Sequence, residues 1–531
     1  MNTPFLLNDL VTASCAVRQD AVAIVDGGQQ VSYADLNRMI GQCAAGLAAL
    51  DIHRNDRVAI WLEKRVETVV ASFAASALGG AFVPVNPVLK AAQVCHVLRD
   101  SGAKVLITSH ARLSGLSAEL SACPSVRFIV VVDPVDAPAL VGTPTPIPWS
   151  VVLDNAPLGR AIGCDSDMAA IFYTSGSTGK PKGVVVSHRN LVVGAQSVVT
   201  YLGNNADDVL LAALPLSFDA GFSQLTTGFL AGARIVLLNY LLPRDVMLAM
   251  ARERVTGLTG VPPLFAQLAR SEWPVESTEH LRYLASTGGR MPRATLNRLR
   301  ELAPRAQPVL MYGLTEAFRS TWLPPEELDR RPGSIGKAIP NAEVLVLRPD
   351  GTPCAPHEHG ELVHRGALVS LGYWGNPEAT AERFKPLPSA VHGALLPIPE
   401  IAVFSGDTAY VDEDGFLYFV GRTDEIIKTS GYRVSPTEVE EAIYDSGLVS
   451  ECAAFGVPDD DLGQSIRVVA LAHGNGTATV DDIAAHCRQV LPAFMVPGHI
   501  DLRQAPLPRN PNGKIDRIAL RAEACAVMEG H

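Results

Sequence analysis

Residues 173–188 read Tyr-Thr-Ser-Gly-Ser-Thr-Gly-Lys-Pro-Lys-Gly-Val-Val-Val-Ser-His. Glycines, serines and threonines crowd around Lys180 and Lys182, directly after the apolar run Ala169-Ala170-Ile171-Phe172. A buried strand that opens into a loop this small and polar suits a polyanion. Glycine lets backbone N–H groups come close and point inward, hydroxyls add donors, and lysine adds positive charge. The Walker phosphate loop is excluded. It requires the spacing G-x-x-x-x-G-K, whereas here only Ser177 and Thr178 separate Gly176 from Gly179-Lys180, and Pro181 follows.

The order of residues in this loop resembles the signature of the adenylate-forming superfamily, the group of acyl-CoA synthetases, nonribosomal peptide synthetase adenylation domains and beetle luciferases. Further motifs follow in the family's order along nearly the whole chain. The resemblance implies that Thr174, Ser175, Gly176, Ser177, Thr178, Gly179 and Lys182 bind ATP phosphates, with Thr174 acting in catalysis and Thr178 near the metal. Tyr312-Gly313-Leu314-Thr315-Glu316 is similar to the stretch whose tyrosine stacks on adenine, whose threonine meets the α-phosphate and whose glutamate binds Mg²⁺. Magnesium favours such a carboxylate joined to substrate phosphates. Gly288-Gly289-Arg290 resembles the adenine-side turn, and Asp407, in Ser405-Gly406-Asp407, the aspartate that holds the ribose hydroxyls. Arg422 would help hold ribose or phosphate, and Asp424 stands at the family's hinge. Lys514, in Pro511-Asn512-Gly513-Lys514, resembles the mobile catalytic lysine.

The acyl pocket is expected around Asp219. Acyl-CoA synthetases of the family commonly carry histidine there, and amino-acid-activating members an aspartate that pairs with the substrate's ammonium. A buried carboxylate needs a partner, so Asp219 points to an amino acid; the alternative is a helix N-cap. Motif offsets add Ala220, Ser223, Thr259, Ala285, Thr287, Met311, Arg319 and Ser320 to the lining. A guanidinium unpaired among alkyl chains is costly. Arg319 therefore binds either a second acidic group of the substrate or a protein carboxylate, Asp219 among the choices. The segment Ala317-Phe318-Arg319-Ser320-Thr321 is similar to the AMP-forming ligase branch associated with exosortase gene sets.

Together these imply an ATP-dependent carboxylate–thiol ligase. The substrate carboxylate attacks the α-phosphorus of Mg-ATP, giving acyl-AMP and pyrophosphate, and a thiol then takes the acyl group. Gly431-Tyr432-Arg433-Val434-Ser435-Pro436 resembles CoA ligases, while Asp219 and Asn512-Gly513-Lys514 resemble peptide-synthetase domains. The acceptor is thus CoA or the phosphopantetheine of a carrier protein. A plain acyl-CoA synthetase for a non-amino acid is the alternative. A nucleotide-binding protein without turnover is disfavoured by Lys514, Glu316 and Asp407 together, and nothing favours a luciferase-type oxygenase.

The elements that must position these groups follow from the apolar pattern. With 531 residues the chain exceeds one core. Val58–Leu62, Val105–Ile107, Phe128–Val132, Val209–Leu211 and Ile235–Leu238 read as buried strands between helices, which implies parallel sheets covered on both faces. From about residue 333, short strands take over, with hairpin signals at Asp350-Gly351 and Asp414-Gly415. Ser435-Pro436-Thr437-Glu438 reads as a capping box and Gly447 as a helix end. The expected fold is α/β. A large N-terminal domain, residues 1–421, would hold two doubly wound sheets plus a small β-barrel at about 333–421. A small mobile α+β domain, residues 422–531, would carry Lys514.

Bulk properties remove other classes. The net charge of −11 offers no basic face for nucleic acid. The apolar stretch from Val66 to Pro87 is broken by Glu67, Gly79-Gly80 and Pro84, so it reads as a buried helix feeding a strand and not as a membrane span. Nine scattered cysteines without a C-x-x-C pair imply reduced thiols, and with no leader-like N-terminus the expected place is the cytoplasm.

Overall fold

A computed structural model describes residues 3–133, 144–159, 161–174, 181–388, 391, 399–422, 425, 427–429, 432–459, 462–473, 478–511 and 513–529. A seven-stranded sheet runs, edge to edge, through Pro146–Pro148, Phe128–Val131, Val105–Thr108, Arg57–Trp61, Ala81–Pro84, Met168–Thr174 and Lys182–Ser187. All neighbours are parallel except the last pair. In the second sheet Gln307–Tyr312, Tyr283–Ser286, Gly257–Gly260, Val209–Ala212, Arg234–Leu237 and Val22–Asp26 are parallel, with Gln29–Ser32 antiparallel at one edge. The apolar runs thus form buried parallel strands, as their continuous hydrophobicity requires.

The two sheets share one helical layer. The helix Val66–Ala77 is buried at every residue except Glu67, so it has no polar face and must sit between sheets. Its Phe73 stacks on Phe222 and meets Phe229 edge-on, at 5.9 and 5.3 Å between ring centroids. Phe222 also lies 4.6 Å from Phe82 and 5.9 Å from Phe172, both on strands of the first sheet. Burying each ring is worth about 2–3 kcal/mol. Phe222 and Phe229 belong to the helix Asp219–Ala231, so this aromatic cluster fixes the helix that presents Asp219.

The β-rich part differs from expectation. No closed barrel forms among the described residues. Thr321–Leu323 pairs antiparallel with Gln307–Tyr312 and passes the ladder through Ser334–Ala338 to Leu417–Arg422, Ile401–Val411, Gly360–Gly366 and Ala342–Leu347. The strands therefore extend the second sheet to fourteen strands instead of closing on themselves. Both turn signals hold: Gly351 and Gly415 adopt φ of 82° and 81°.

After Arg422 a hairpin, Ile427–Thr429 with Tyr432–Val434, leads to a three-stranded sheet of Val449–Asp459, Gly463–Ala472 and His499–Arg503. The helices Pro436–Asp445, Val480–Val490 and Arg517–Glu529 complete it. Gly447 ends the first helix at φ 69°. The capping box does not form: Ser435 gives no side-chain cap, and its hydroxyl instead donates to the Val420 carbonyl. Among the described residues no apolar cluster joins side chains before Arg422 to those after it.

Candidate active site

The carboxyl ends of the parallel strands converge on one cleft. Thr174 and Lys182 face each other in the antiparallel ladder. The loop between them, with Ser175, Gly176, Ser177, Thr178 and Gly179, lies outside the described residues. Lys182 holds its ammonium 5.5 Å from the Tyr373 ring centroid, a cation–π contact. The Tyr373 hydroxyl donates to Glu316 Oε1 at 2.6 Å, which fixes the carboxylate at the mouth of the cleft. One oriented carboxylate suits magnesium, which completes its shell with phosphate oxygens and water.

Tyr312 ends its strand with the ring 6.0 Å from His364, nearly parallel. Its hydroxyl donates to Asp407 Oδ2. Asp407 Oδ1 is buried without a hydrogen-bond partner, and Arg422 Nη1 stands 3.7 Å from it. Burial raises the Asp407 carboxyl above its ordinary range, against the pull of Tyr312, Arg422 and Arg383. An open acceptor beside an aromatic ring fits a ribose hydroxyl. His364 is buried with neither ring nitrogen paired, and burial pushes it down to about 3, so the imidazole stays neutral.

Lys514 reaches into this cleft from the C-terminal part. Its loop is a tight turn: Asn510 N–H donates to Lys514 O at 2.8 Å, and Gly513, at φ 77°, donates to Asn510 O at 2.9 Å. Asn86 Nδ2 donates to Pro511 O at 3.0 Å and so ties the turn to the first sheet. Gly288, at φ 79°, lies against the lysine: a Cβ there would stand 3.8 Å from Lys514 Cε, an ordinary contact. Protein walls surround the ammonium, yet water still reaches the side chain. The walls push its pKa down, and the charges of Asp219 and Asp407 oppose that. Water access makes the depression smaller than for a sealed lysine.

The acyl side is built on the helix Asp219–Ala231. Asp219 is its first residue and not its N-cap, which is Phe218. The carboxylate accepts from Thr315 Oγ1 at 3.2 Å. Burial raises its pKa, and Arg319 is the largest opposing influence. Ser223, Thr259, Met311 and Arg319 border a cavity of ≈ 20 Å³. Arg319 Nη1 donates to Thr287 Oγ1 at 3.3 Å and Nη2 to Ala220 O at 3.5 Å. Ala285 and Ser320 are fully buried, and Gly313 passes so close to Arg319 that a Cβ there would lie 3.2 Å from its Cα.

The cleft therefore collects Lys514, Asp219, Thr315, Glu316, Tyr312, Asp407 and Gly288. Asp424 lies outside the described residues. Arg290 turns elsewhere: its guanidinium meets Glu441, on the helix Pro436–Asp445. Four contributors were not legible in the sequence. Tyr373 orients Glu316, Arg383 packs over Gly406 beside Asp407, Asn86 anchors Pro511 and Glu441 engages Arg290. Each acts across a long sequence separation, and none stands in a motif that names its partner.

Comparison with known proteins agrees with this geometry. Family models described as AMP-binding enzyme and AMP-binding enzyme C-terminal domain match residues 11–374 and 438–514. A feruloyl-CoA synthase from Amycolatopsis sp is 31% identical over 502 residues, covering 93% of this chain and 94% of its own length. A linear gramicidin synthase protein from Brevibacillus parabrevis is 29% identical over 96% of this chain, which spans 6% of that protein. The crystal structure of ATP-bound MatB from Rhodopseudomonas palustris matches with a TM-score of 0.85 at 27% identity, over 98% of this chain and 99% of that one.

Proposed function

The chain belongs to the AMP-binding enzyme family and is an AMP-forming acid–CoA ligase; on that premise we propose that it activates a short, polar carboxylic acid. The observation that carries this is Lys514 beside Gly288, within the field of both Asp219 and Asp407. One cation would then stand between the proposed acid site and the proposed ribose site.

There the substrate carboxylate attacks the α-phosphorus and the bond to pyrophosphate breaks. Such a step needs positioning and charge neutralisation more than covalent help from the protein. Lys514 neutralises charge growing on the oxygens between acid and nucleotide. Thr315 would meet the α-phosphate, and Thr174, Lys182 and the residues between them would meet the β/γ-phosphates. Asp407 and Arg422 hold ribose, and Tyr312 with Gly288 and Gly289 lines the adenine site. Glu316, with Thr178 from the family resemblance, would hold magnesium, which would supply charge neutralisation on the phosphates. Residues 422–531 then turn about Asp424, withdrawing Lys514. The CoA thiol attacks the acyl carbon and AMP leaves; a carrier-protein phosphopantetheine is the alternative acceptor.

The small cavity, walled by Leu202, Leu210 and Met311 with Arg319 on one side, supports a short acid. Asp219, half-open at its rim, supports an ammonium on that acid, and a plain non-amino acid is the competing reading. The cytoplasm suits the nine free cysteines. Among the described residues no helix is long and apolar enough to cross a membrane.

The test is ATP–pyrophosphate exchange with paired amino and des-amino acids on the wild type, Asp219→Ala and Lys514→Ala. Loss of charge stabilisation in Lys514→Ala should lower the exchange rate by about 10²–10³-fold or more, while supplied acyl-AMP still yields thioester. Near-normal exchange in that variant would remove Lys514 from the mechanism. Losing an ammonium partner of Asp219 should cost about 3–5 kcal/mol, at least ~100-fold in discrimination. Equal wild-type rates for both members of a pair would leave a plain acyl-CoA ligase.

A further inference from the structure

Between Glu316 and Thr321 the backbone turns abruptly. Phe318 has φ 54° and ψ −48°, a region an L-residue enters at a cost. Its ring is fully buried and seats on Gly194, where any side chain would collide with it. This anchored turn drives the next residue inward, and Arg319 is 4% exposed. Among the described residues no carboxylate lies within 4.0 Å of its guanidinium, Asp219 included. Its neighbours are a hydroxyl and a carbonyl, both at long distance, and Nε has no partner.

A buried cation is normally paired, because desolvation without a counter-ion is expensive. The cavity it borders holds more unsatisfied polarity: Gln224 Oε1 and Thr227 Oγ1 are also buried without partners. The space, ≈ 20 Å³, exceeds what one water needs, about 10–15 Å³, and is far too small for an alkyl tail. Asp219 and Thr315, by contrast, sit at the open rim where the reacting carboxylate must meet the nucleotide. Arg319 is deeper than that point of reaction.

Resting on the reading of this chain as an AMP-forming acid ligase, we propose that its substrate carries a second carboxylate, received by Arg319 at the floor of the acyl pocket. The guanidinium fork offers paired N–H donors to a carboxylate, which a lysine would not reproduce. Gln224 and Thr227 add unsatisfied polar atoms to a lining that also includes Leu202, Leu210 and Met311. The substrate class is a short dicarboxylic acid, with an amino group near the reacting end if Asp219 also binds substrate.

The experiment measures kcat/KM by pyrophosphate exchange for propanedioate, butanedioate, pentanedioate, aspartate and glutamate. Each is compared with the monoacid that lacks the distal carboxylate. The wild type should prefer the best diacid over its monoacid by at least ~100-fold. In Arg319→Met that ratio should collapse, and Arg319→Lys should restore it only in part. Thermal unfolding guards against a merely structural role. Without ligand, Arg319→Met should unfold at the same temperature or higher, since it removes a buried charge that has no carboxylate within ion-pair distance among the described residues. The best diacid should stabilise the wild type and not the variant.

A wild type indifferent to the second carboxylate would overturn the proposal. So would an Arg319→Met variant that loses diacid and monoacid equally, because the arginine would then hold the reacting carboxylate. A lower unfolding temperature without ligand would make Arg319 structural and also reject it. Exchange with no acid at all would instead reject the ligase reading, and the proposal with it.

Discussion

Lys514 shows how much one residue depends on its surroundings. A free lysine titrates near 10.4. Here the walls of the cleft depress that value, with Asp219 and Asp407 opposing. The first half-reaction needs the ammonium. A depressed pKa means that the proton is lost at lower pH than in a free lysine, so adenylation should decline as pH rises through that value. The alkaline limb of kcat/KM for ATP, which reports the free enzyme, should therefore fall below the ordinary lysine range. Thioester formation from supplied acyl-AMP should show no such limb. An alkaline limb at or above the lysine value would mean that the walls do not depress it. The residue scale also shows what a motif conceals. Tyr312 was legible as an adenine-side aromatic, but its hydroxyl bond to Asp407 crosses from one strand to another far along the chain.

At the scale of elements, the support of the catalytic turn lies in the helix Pro436–Asp445. Glu440 on that helix is buried and accepts from Ala454 N–H at 2.7 Å and from Arg517 Nη2 at 2.7 Å through its other oxygen. Arg517 opens the last helix, just after Lys514. The pair thus clamps the base of the lysine turn to the three-stranded sheet. Burial raises the Glu440 carboxyl, and Arg517 opposes it. Glu440→Ala would leave the Ala454 N–H without its acceptor and, among the described residues, the guanidinium with only Glu425, 3.6 Å away. Breaking such a pair costs about 3–5 kcal/mol, and the lower end applies because Arg517 retains some solvent. The apolar clusters do not cross Arg422, so the loss should appear as early unfolding of the C-terminal part alone. Limited proteolysis in urea would show it; unfolding of the whole chain in one step at the wild-type midpoint would contradict it. The Ser435 hydroxyl teaches a related lesson. Its sequence matches a capping box, yet the side chain turns to donate to the Val420 carbonyl, a tertiary partner that the local pattern does not record.

At the scale of the molecule, contacts between the two parts are polar. Asn86 reaches Pro511, Ser435 reaches Val420 and Arg290 meets Glu441. Among the described residues no apolar cluster is shared between the parts, and polar interfaces of this kind favour domain motion, which supports the proposed turn of the C-terminal part. Asp424→Pro should then separate the half-reactions, because proline fixes φ at the proposed pivot. Rapid-quench measurement of acyl-AMP formation and of thioester formation should find one preserved and the other lost. Equal loss of both, or loss of neither, would move the pivot elsewhere.

The sequence by itself determined the class of fold and the chemistry. Continuous apolar runs dictated buried parallel strands, since only strands covered on both faces can be apolar throughout. The motifs around Thr174, Glu316, Asp407 and Lys514 are local, so their residue types and order could be read directly. Tertiary structure alone decided what the β-rich part became and which charges meet. A strand's own pattern does not record its neighbour, and the ladder ran on through Thr321–Leu323 into an extended sheet where a barrel was expected. Arg290 found Glu441, whereas among the described residues no carboxylate stands within ion-pair distance of Arg319, although both arginines had carboxylates available in the sequence. Charge pairing depends on distance in space and on burial, and neither is encoded at a fixed spacing along the chain.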